Sequence, residues 1–316
     1  GCAYAAIEAS SHGLDQFRLD GVRFRAAAFT NFASDHLDYH GSLEEYFSAK
    51  QRLFSDLLPE GGTAVLNRDD AKYPALEALC KKRAVPVISF GREASADLRC
   101  VSTTPTPQGQ EVELNIMGKP FSCTLGLVGE FQVMNILAAL GLAHACGLDA
   151  AALLERLPGL QGVRGRLEKV IEHPSGAAVY VDYAHTEEAL RKLLQTLRPH
   201  TQGRLLVVFG CGGDRDRSKR PRMGRAAAEL ADEVIVTDDN PRGEDAAVIR
   251  EAVLSGCKGA QNIGDRAQAI AYAVKMLKAG DILAIAGKGH ETVQIVGDQK
   301  FPFDDAAVVR EAVAEC

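Results

Sequence analysis

An α/β protein of two units, each built on a parallel sheet, is the fold class this sequence predicts. Short apolar runs alternate with helical patterns along nearly the whole chain, as parallel strands joined by crossover helices require. A Pro- and Gly-broken stretch, LPGLQGVRG at 157–165, separates a less regular first half from a more regular second half. The length of 316 residues suits two domains, and 46% hydrophobic with 25% charged residues is enough for buried cores.

Taken in order, the strands of the first half are expected at Ala3–Glu8, Ala26–Thr30, Thr63–Asn67 and Val85–Phe90. Between the second and third lies the helix SLEEYFSAKQRLFSDLL, opened by the capping box of Ser42 and Glu45. Residues 97–128 carry two period-2 runs split by Pro and Gly, which predicts antiparallel hairpins forming a small sheet beside the main one. The helix QVMNILAALGLAHAC follows and stops at Gly147. In the second half strands are expected at Ala178–Asp182, Leu205–Phe209, Glu233–Thr237 and Ile282–Ala286, with helices near 187–198, 221–231, 245–254 and 265–278. The expected domains are 1–163 and 164–316.

Composition narrows the function classes. Lys and Arg number 36 against 42 Asp and Glu, a formal charge of −6 without blocks of like charge, which argues against coating a nucleic acid. No apolar run has the roughly 18 residues of a membrane span, and no signal-peptide pattern opens the chain. The eight cysteines are scattered, without CxxC or Cys/His metal spacing, so they read as reduced thiols of a cytoplasmic protein.

Each strand of the second half ends in a polar motif: DYAHT, GCGGDRDRSKR, DDNPR and GKGHE. Open parallel sheets bind ligands where these loops gather. Glycines after a strand let backbone approach an anion, and Arg215, Arg217, Lys219 and Arg220 add local positive charge, which a solvated face would also explain. DDNPR can hold an amino acid, Asp239 taking an ammonium and Arg242 gripping a carboxylate; ordinary helix capping is the alternative. In the first half, Glu8 and His36 at two strand ends could bind Mg²⁺ near phosphates, although a lone histidine is more often structural. GxxxxGK[ST], GxxGK[ST] and GxGxxG do not occur in the chain.

Read together, EASSHGL, TNFASDHLDYHGSLEEYFSAK, VDYAHT, FGCGGDRDRSKRPRMG, TDDNPR and AGKGHE resemble the Mur ligase family, from Ala3 to about Asp304. The resemblance implies part of the family's central ATPase domain followed by a Rossmann-like, doubly wound C-terminal domain, without the N-terminal domain or the GTNGKT-type phosphate loop. Such a chain is expected not to hydrolyse ATP alone. The family's chemistry is ATP-dependent amide formation through an acyl phosphate, in peptidoglycan precursor synthesis. By resemblance Glu8 and His36 are magnesium ligands, and Lys50 matches the family's carbamylated lysine, in which CO₂ turns an ammonium into a metal-binding carboxylate. Ser10, Gln16 and Arg18 match positions that hold the UDP-muramoyl dipeptide, and Asn135, Arg166, Asp182 and His185 positions around the nucleotide. GEFQVMN departs from the family's GxxNxxN, with Gln132 in place of the first Asn.

Arg215, Asp239, Asn240, Pro241, Arg242, Gly287 and Glu291 match the family's site for the incoming amino acid. Meso-diaminopimelate differs from lysine by a distal carboxylate, so a site selecting it needs a cation there, and Arg242 supplies one. Left unpaired by lysine, it would penalise that competitor by about 2–4 kcal/mol. Glu291 would take the distal ammonium. The expectation is a diaminopimelate-adding, cytoplasmic, monomeric ligase with small-molecule substrates only, among them ATP. A lysine-adding relative and a non-catalytic amino-acid-binding module are the other readings.

Overall fold

The computed structural model describes residues 2–33 and 36–316, so Gly1, Ser34 and Asp35 lie outside the described residues. The chain divides into two compact units. The first comprises residues 1–104, 111–124 and 130–158; the second comprises 105–110, 125–129 and 159–316.

One six-stranded sheet runs in chain order through β1 (Ala26–Phe29), β2 (Thr63–Asn67), β3 (Val87–Gly91), β4 (Leu98–Thr106), β5 (Gly109–Ile116) and β6 (Lys119–Leu125). The first four strands pair in parallel. The 97–128 hairpins therefore continue the main sheet instead of forming a separate one, because Phe90 and Gly91 register with Leu98 and Arg99. The helices of this unit are α1 (Ser11–Asp15), α2 (Leu37–His40), α3 (Leu43–Arg52), α4 (Tyr73–Lys82), α5 (Glu130–Ala145) and α6 (Ala150–Leu154). Ser42 caps α3 by accepting from Glu45 N. Leu14, Phe29, Phe54, Leu66 and Leu76 share one apolar core.

The expected strand Ala3–Glu8 does not form. An apolar run alone makes no strand; a ladder partner and a covered face do. Here Tyr4 and Ile7 are 64% and 55% exposed, and the segment runs as open chain to Ser10, whose hydroxyl caps α1.

The second unit holds β7 (Glu168–Glu172), β8 (Ala178–Asp182), β9 (Leu205–Phe209), β10 (Glu233–Val236), β11 (Gln261–Asn262) and β12 (Ile282–Ala286) in the order β11-β10-β9-β12-β8-β7. All pairs are parallel except β7 with β8. Around it lie α7 (Glu187–Leu197), α8 (Lys219–Leu230), α9 (Ala246–Leu254), α10 (Arg266–Lys275) and α11 (Asp305–Ala314), with a hairpin of β13 (Val293–Val296) and β14 (Gln299–Pro302). The five residues of β9 and of β12 are all buried. Leu205, Val207 and Phe209 enter one core and Leu206 and Val208 the other, so the unbroken apolar runs belong to a sheet covered on both faces. Strand β12 enters between β8 and β9, which sets the GKGHE loop between DYAHT and GCGG at the carboxyl edge. Among the described residues no helix is long and apolar enough to cross a membrane.

Candidate functional site

In the second unit the loops after β9, β10 and β12 bring Arg215, Asp239, Asn240, Pro241, Arg242, Gly287 and Glu291 together. Two close approaches define the join. A Cβ on Gly213 would lie 1.9 Å from Pro241 O, so only glycine lets the GCGG loop press against DNPR. Gly213 thus serves loop packing. A Cβ on Gly212 would lie 2.8 Å from Arg242 Nη1 and 3.9 Å from Arg215 Cγ, so both arginines flank one point.

Arg242 has a left-handed backbone, φ 52°, which its own hydrogen bonds hold in place. Its N–H donates to Ile295 O (3.2 Å), and its carbonyl accepts from Gly297 N (2.8 Å), both on the β13–β14 hairpin. Nη1 donates to Gly213 O at 2.9 Å and approaches Asn240 O at 3.4 Å. No carboxylate pairs with Arg242 or with Arg215 among the described residues; Arg215, exposed, reaches only Asp214 O at 3.2 Å. Helix α9 starts from its cap at Asp245, so Asp239 and Asn240 are not capping residues.

The acidic side of the site is as ordered. Asp239 and Asn240 are 7% and 5% exposed. Asn240 Nδ2 donates to Glu291 Oε2 at 3.0 Å, and its Oδ1 accepts from Lys288 Nζ (2.8 Å) and Ile295 N (3.0 Å). A Cβ on Gly287 would meet Asp239 Oδ2 at 3.4 Å. Beneath, Glu244 binds Arg220 through both oxygens (2.8 and 3.1 Å) and accepts from Asp214 N. The Arg220 hydrogen bond is the chief reason the Glu244 carboxyl is held down to about 2. Burial pushes the Cys211 thiol in the same loop up to about 12, so it stays an unreactive core group.

Asp182 closes β8. It accepts from Leu167 N and Ala184 N, each at 2.8 Å; burial raises its pKa against these two bonds and the nearby Arg166 charge. Its carbonyl accepts from Gly287 N at 3.1 Å, tying DYAHT to GKGHE. Tyr183 gathers three neighbours: the Arg166 guanidinium at 4.7 Å from its ring centroid, His185 edge-on at 4.7 Å and His290 tilted at 5.4 Å. Exposed His185 bonds Tyr183 O through Nδ1, and its carbonyl accepts from Lys219 Nζ at 2.7 Å.

In the first unit the candidate residues are less gathered. Lys50 Nζ sits 5.0 Å from the Tyr46 ring centroid, and the His36 ring lies 6.0 Å from the same ring. His12, 4.8 Å from His36, joins this cluster and was not foreseen. Glu8 and Arg18 are exposed. Ser10 Oγ accepts from Gly13 N as a helix cap, and Gln16 Nε2 donates to Tyr39 Oη at 3.0 Å. Asn135 Nδ2 donates to Gln132 Oε1 at 3.3 Å, so the longer amide of Gln132 stays beside Asn135 on α5. No group of three or more His, Cys, Asp or Glu that could hold a metal occurs among the described residues. A cation here would need oxygen donors beyond one imidazole and one carboxylate.

The family model of the Mur ligase middle domain matches residues 1–143, and that of the Mur ligase glutamate ligase domain matches 165–289. The chain belongs to the Mur ligase family. Two curated relatives of this Mur ligase chain, from Caulobacter vibrioides and Zymomonas mobilis, are 51% and 50% identical over 99% and 98% of it. Both are named UDP-N-acetylmuramoyl-L-alanyl-D-glutamate–2,6-diaminopimelate ligase. A solved structure of a ligase of that name is 39% identical, with a TM-score of 0.76 over 97% of the chain. The chain spans 64% and 65% of the two relatives' lengths and 63% of that solved chain.

Proposed function

We propose that this Mur ligase chain carries the amino-acid site and part of the nucleotide-binding domain of an ATP-dependent ligase that adds meso-diaminopimelate to UDP-N-acetylmuramoyl-L-alanyl-D-glutamate. The observation that carries the reading is Arg242: a guanidinium locked by backbone carbonyls, with no carboxylate of its own among the described residues, beside the acidic pair Asp239 and Glu291. A ligand with ammonium groups and a distal carboxylate completes that charge pattern, and lysine leaves the arginine unmatched. The names of the two relatives support the same assignment.

In the reaction the substrate's glutamate carboxylate attacks the γ-phosphate of ATP and expels ADP, and the amine of diaminopimelate then displaces phosphate from the resulting acyl phosphate, losing a proton as the amide forms. Asp239 and Glu291 hold ammonium groups; Arg242, with Arg215, orients the carboxylates so that the reacting amine is presented in one pose. Asn135, Arg166, Asp182 and His185 are assigned to the nucleotide, with Tyr183 holding the Arg166 and His185 side chains. Ser10, Gln16 and Arg18 are assigned to the UDP-muramoyl dipeptide. Glu8, His36 and Lys50 are the residues that would hold Mg²⁺, Lys50 as a carbamate that replaces its positive charge with oxygen donors. The ion would offset negative charge as the anions meet.

Calorimetric titration of the chain with meso-diaminopimelate and L-lysine tests the reading. Arg242 is half-buried, so its charge-assisted contact should contribute about 1.5–3 kcal/mol, a preference of about 10- to 150-fold. Arg242→Ala should erase that preference. Equal affinity of the unaltered chain for the two amino acids would contradict it.

A further inference from the structure

The GKGHE loop contains a charged group that the assigned roles leave unused. The Lys288 side chain is 0% exposed. Its ammonium donates to two neutral acceptors, Asn240 Oδ1 and Val293 O, each at 2.8 Å. It stands 3.5 Å from Asp239 Oδ1 and 3.6 Å from Glu291 Oε2, beyond ordinary hydrogen-bond length but close enough for strong Coulomb attraction. Asp239 Oδ1 is itself buried without a hydrogen-bond partner among the described residues. An isolated buried ammonium is strongly unfavourable, and this one lies where three proposed ligand contacts, Asp239, Asn240 and Glu291, converge.

Asn240 transmits its effect. Its Oδ1 accepts from both Lys288 Nζ and Ile295 N, so a flipped amide would set its NH₂ against two donors. Nδ2 is therefore directed at Glu291 Oε2 (3.0 Å). One carboxylate oxygen of Glu291 is occupied in this way, and the other remains for a ligand cation. We infer that Lys288 is the positioning residue of the amino-acid site: through Asn240 it fixes Glu291, and its charge balances Asp239 and Glu291 while the site is empty of ligand ammonium groups. The inference rests on the amino-acid reading proposed above and adds a residue to it. Burial lowers the ammonium's pKa while Asp239 opposes the fall, which agrees with a cation kept by its acidic neighbours.

The test is a double-mutant cycle on the whole chain, read by calorimetry with meso-diaminopimelate and L-lysine. Lys288→Met, of similar length but without donors, should bind meso-diaminopimelate at least about 10-fold more weakly. Glu291→Gln should weaken binding by about 10-fold in the unaltered chain but by less than about 3-fold beside Lys288→Met, because the carboxylate is then no longer held. The diaminopimelate-to-lysine preference should survive Lys288→Met, since Arg242 is untouched, and vanish in Arg242→Ala. If Lys288→Met does not fold, as judged by circular dichroism, Lys288→Gln, which keeps a polar group, takes its place in the cycle with the same expectation. Independent losses at 288 and 291, or an unchanged affinity of the folded Lys288 variant, would overturn the positioning role and leave the amino-acid reading standing. Failure of the unaltered chain to bind either amino acid would overturn both.

Discussion

Removing the charge of Asp305 isolates the buried ion pair beneath the amino-acid loops. Arg266 and Asp305 are each 0% exposed and joined by two hydrogen bonds of 2.7 Å. The guanidinium also donates to Ala286 O at 3.0 Å and approaches Asp238 O at 3.5 Å, the residues just before Gly287 and Asp239. Asp305→Asn preserves the shape and leaves a cation with no exposed surface hydrogen-bonded only to neutral acceptors, with the charges of Asp239 and Glu291 as its remaining electrostatic partners. Breaking a buried pair in this way costs about 3–5 kcal/mol. For a unit of this size each kcal/mol lowers Tm by about 2–4 °C, so a fall of about 6–20 °C is expected. Urea unfolding followed by circular dichroism measures the free energy. The double variant Arg266→Met with Asp305→Leu removes both charges and should recover most of the loss. A single variant within about 1 kcal/mol of the unaltered chain, or a double variant less stable than the single, would refute the reasoning.

Other perturbations reach different parts of the account. Gly213→Ala sets a Cβ 1.9 Å from Pro241 O, so the GCGG and DNPR loops must part. The unfolding free energy should drop by about 1–3 kcal/mol, and meso-diaminopimelate affinity should fall with it in calorimetry. Glu244, held at about 2 against an ordinary 4.5, contributes stability that is complete above pH 4.5 and is lost as pH falls toward 2. Unfolding measured at pH 7 and at pH 3 should therefore differ less for Glu244→Gln than for the unaltered chain. The carbamate proposed for Lys50 should give a magnetic resonance signal from carbon-13-labelled bicarbonate in the unaltered chain and none in Lys50→Arg, which cannot form it.

The second unit was the more legible in the sequence. Runs such as LLVVF and ILAIA are apolar at every position because both sheet faces are covered, and their polar sequels fall at one edge. The hairpin of β13 and β14 went unread, although Gly297 and Asp298 between alternating residues signal a turn. Helix α11 was equally available from Asp304, its capping residue. Lys288 was missed for a different reason: a lysine's burial depends on tertiary partners, here above all Asn240 from a separate loop, and no local pattern encodes them. Tyr183 is similar, since two of its partners, Arg166 and His290, come from other loops. Ala3–Glu8 shows the reverse error, in which an apolar run suggested a strand but no partner strand accompanies it among the described residues.

Phosphate release from ATP tests the central claim most directly, measured on this chain extended to the full length of its curated relatives. The assay contains Mg²⁺ and UDP-N-acetylmuramoyl-L-alanyl-D-glutamate, with meso-diaminopimelate or L-lysine supplied separately. The account predicts release that depends on meso-diaminopimelate and is lost in Arg242→Ala. Release with lysine but not with diaminopimelate, or none with either, would contradict it.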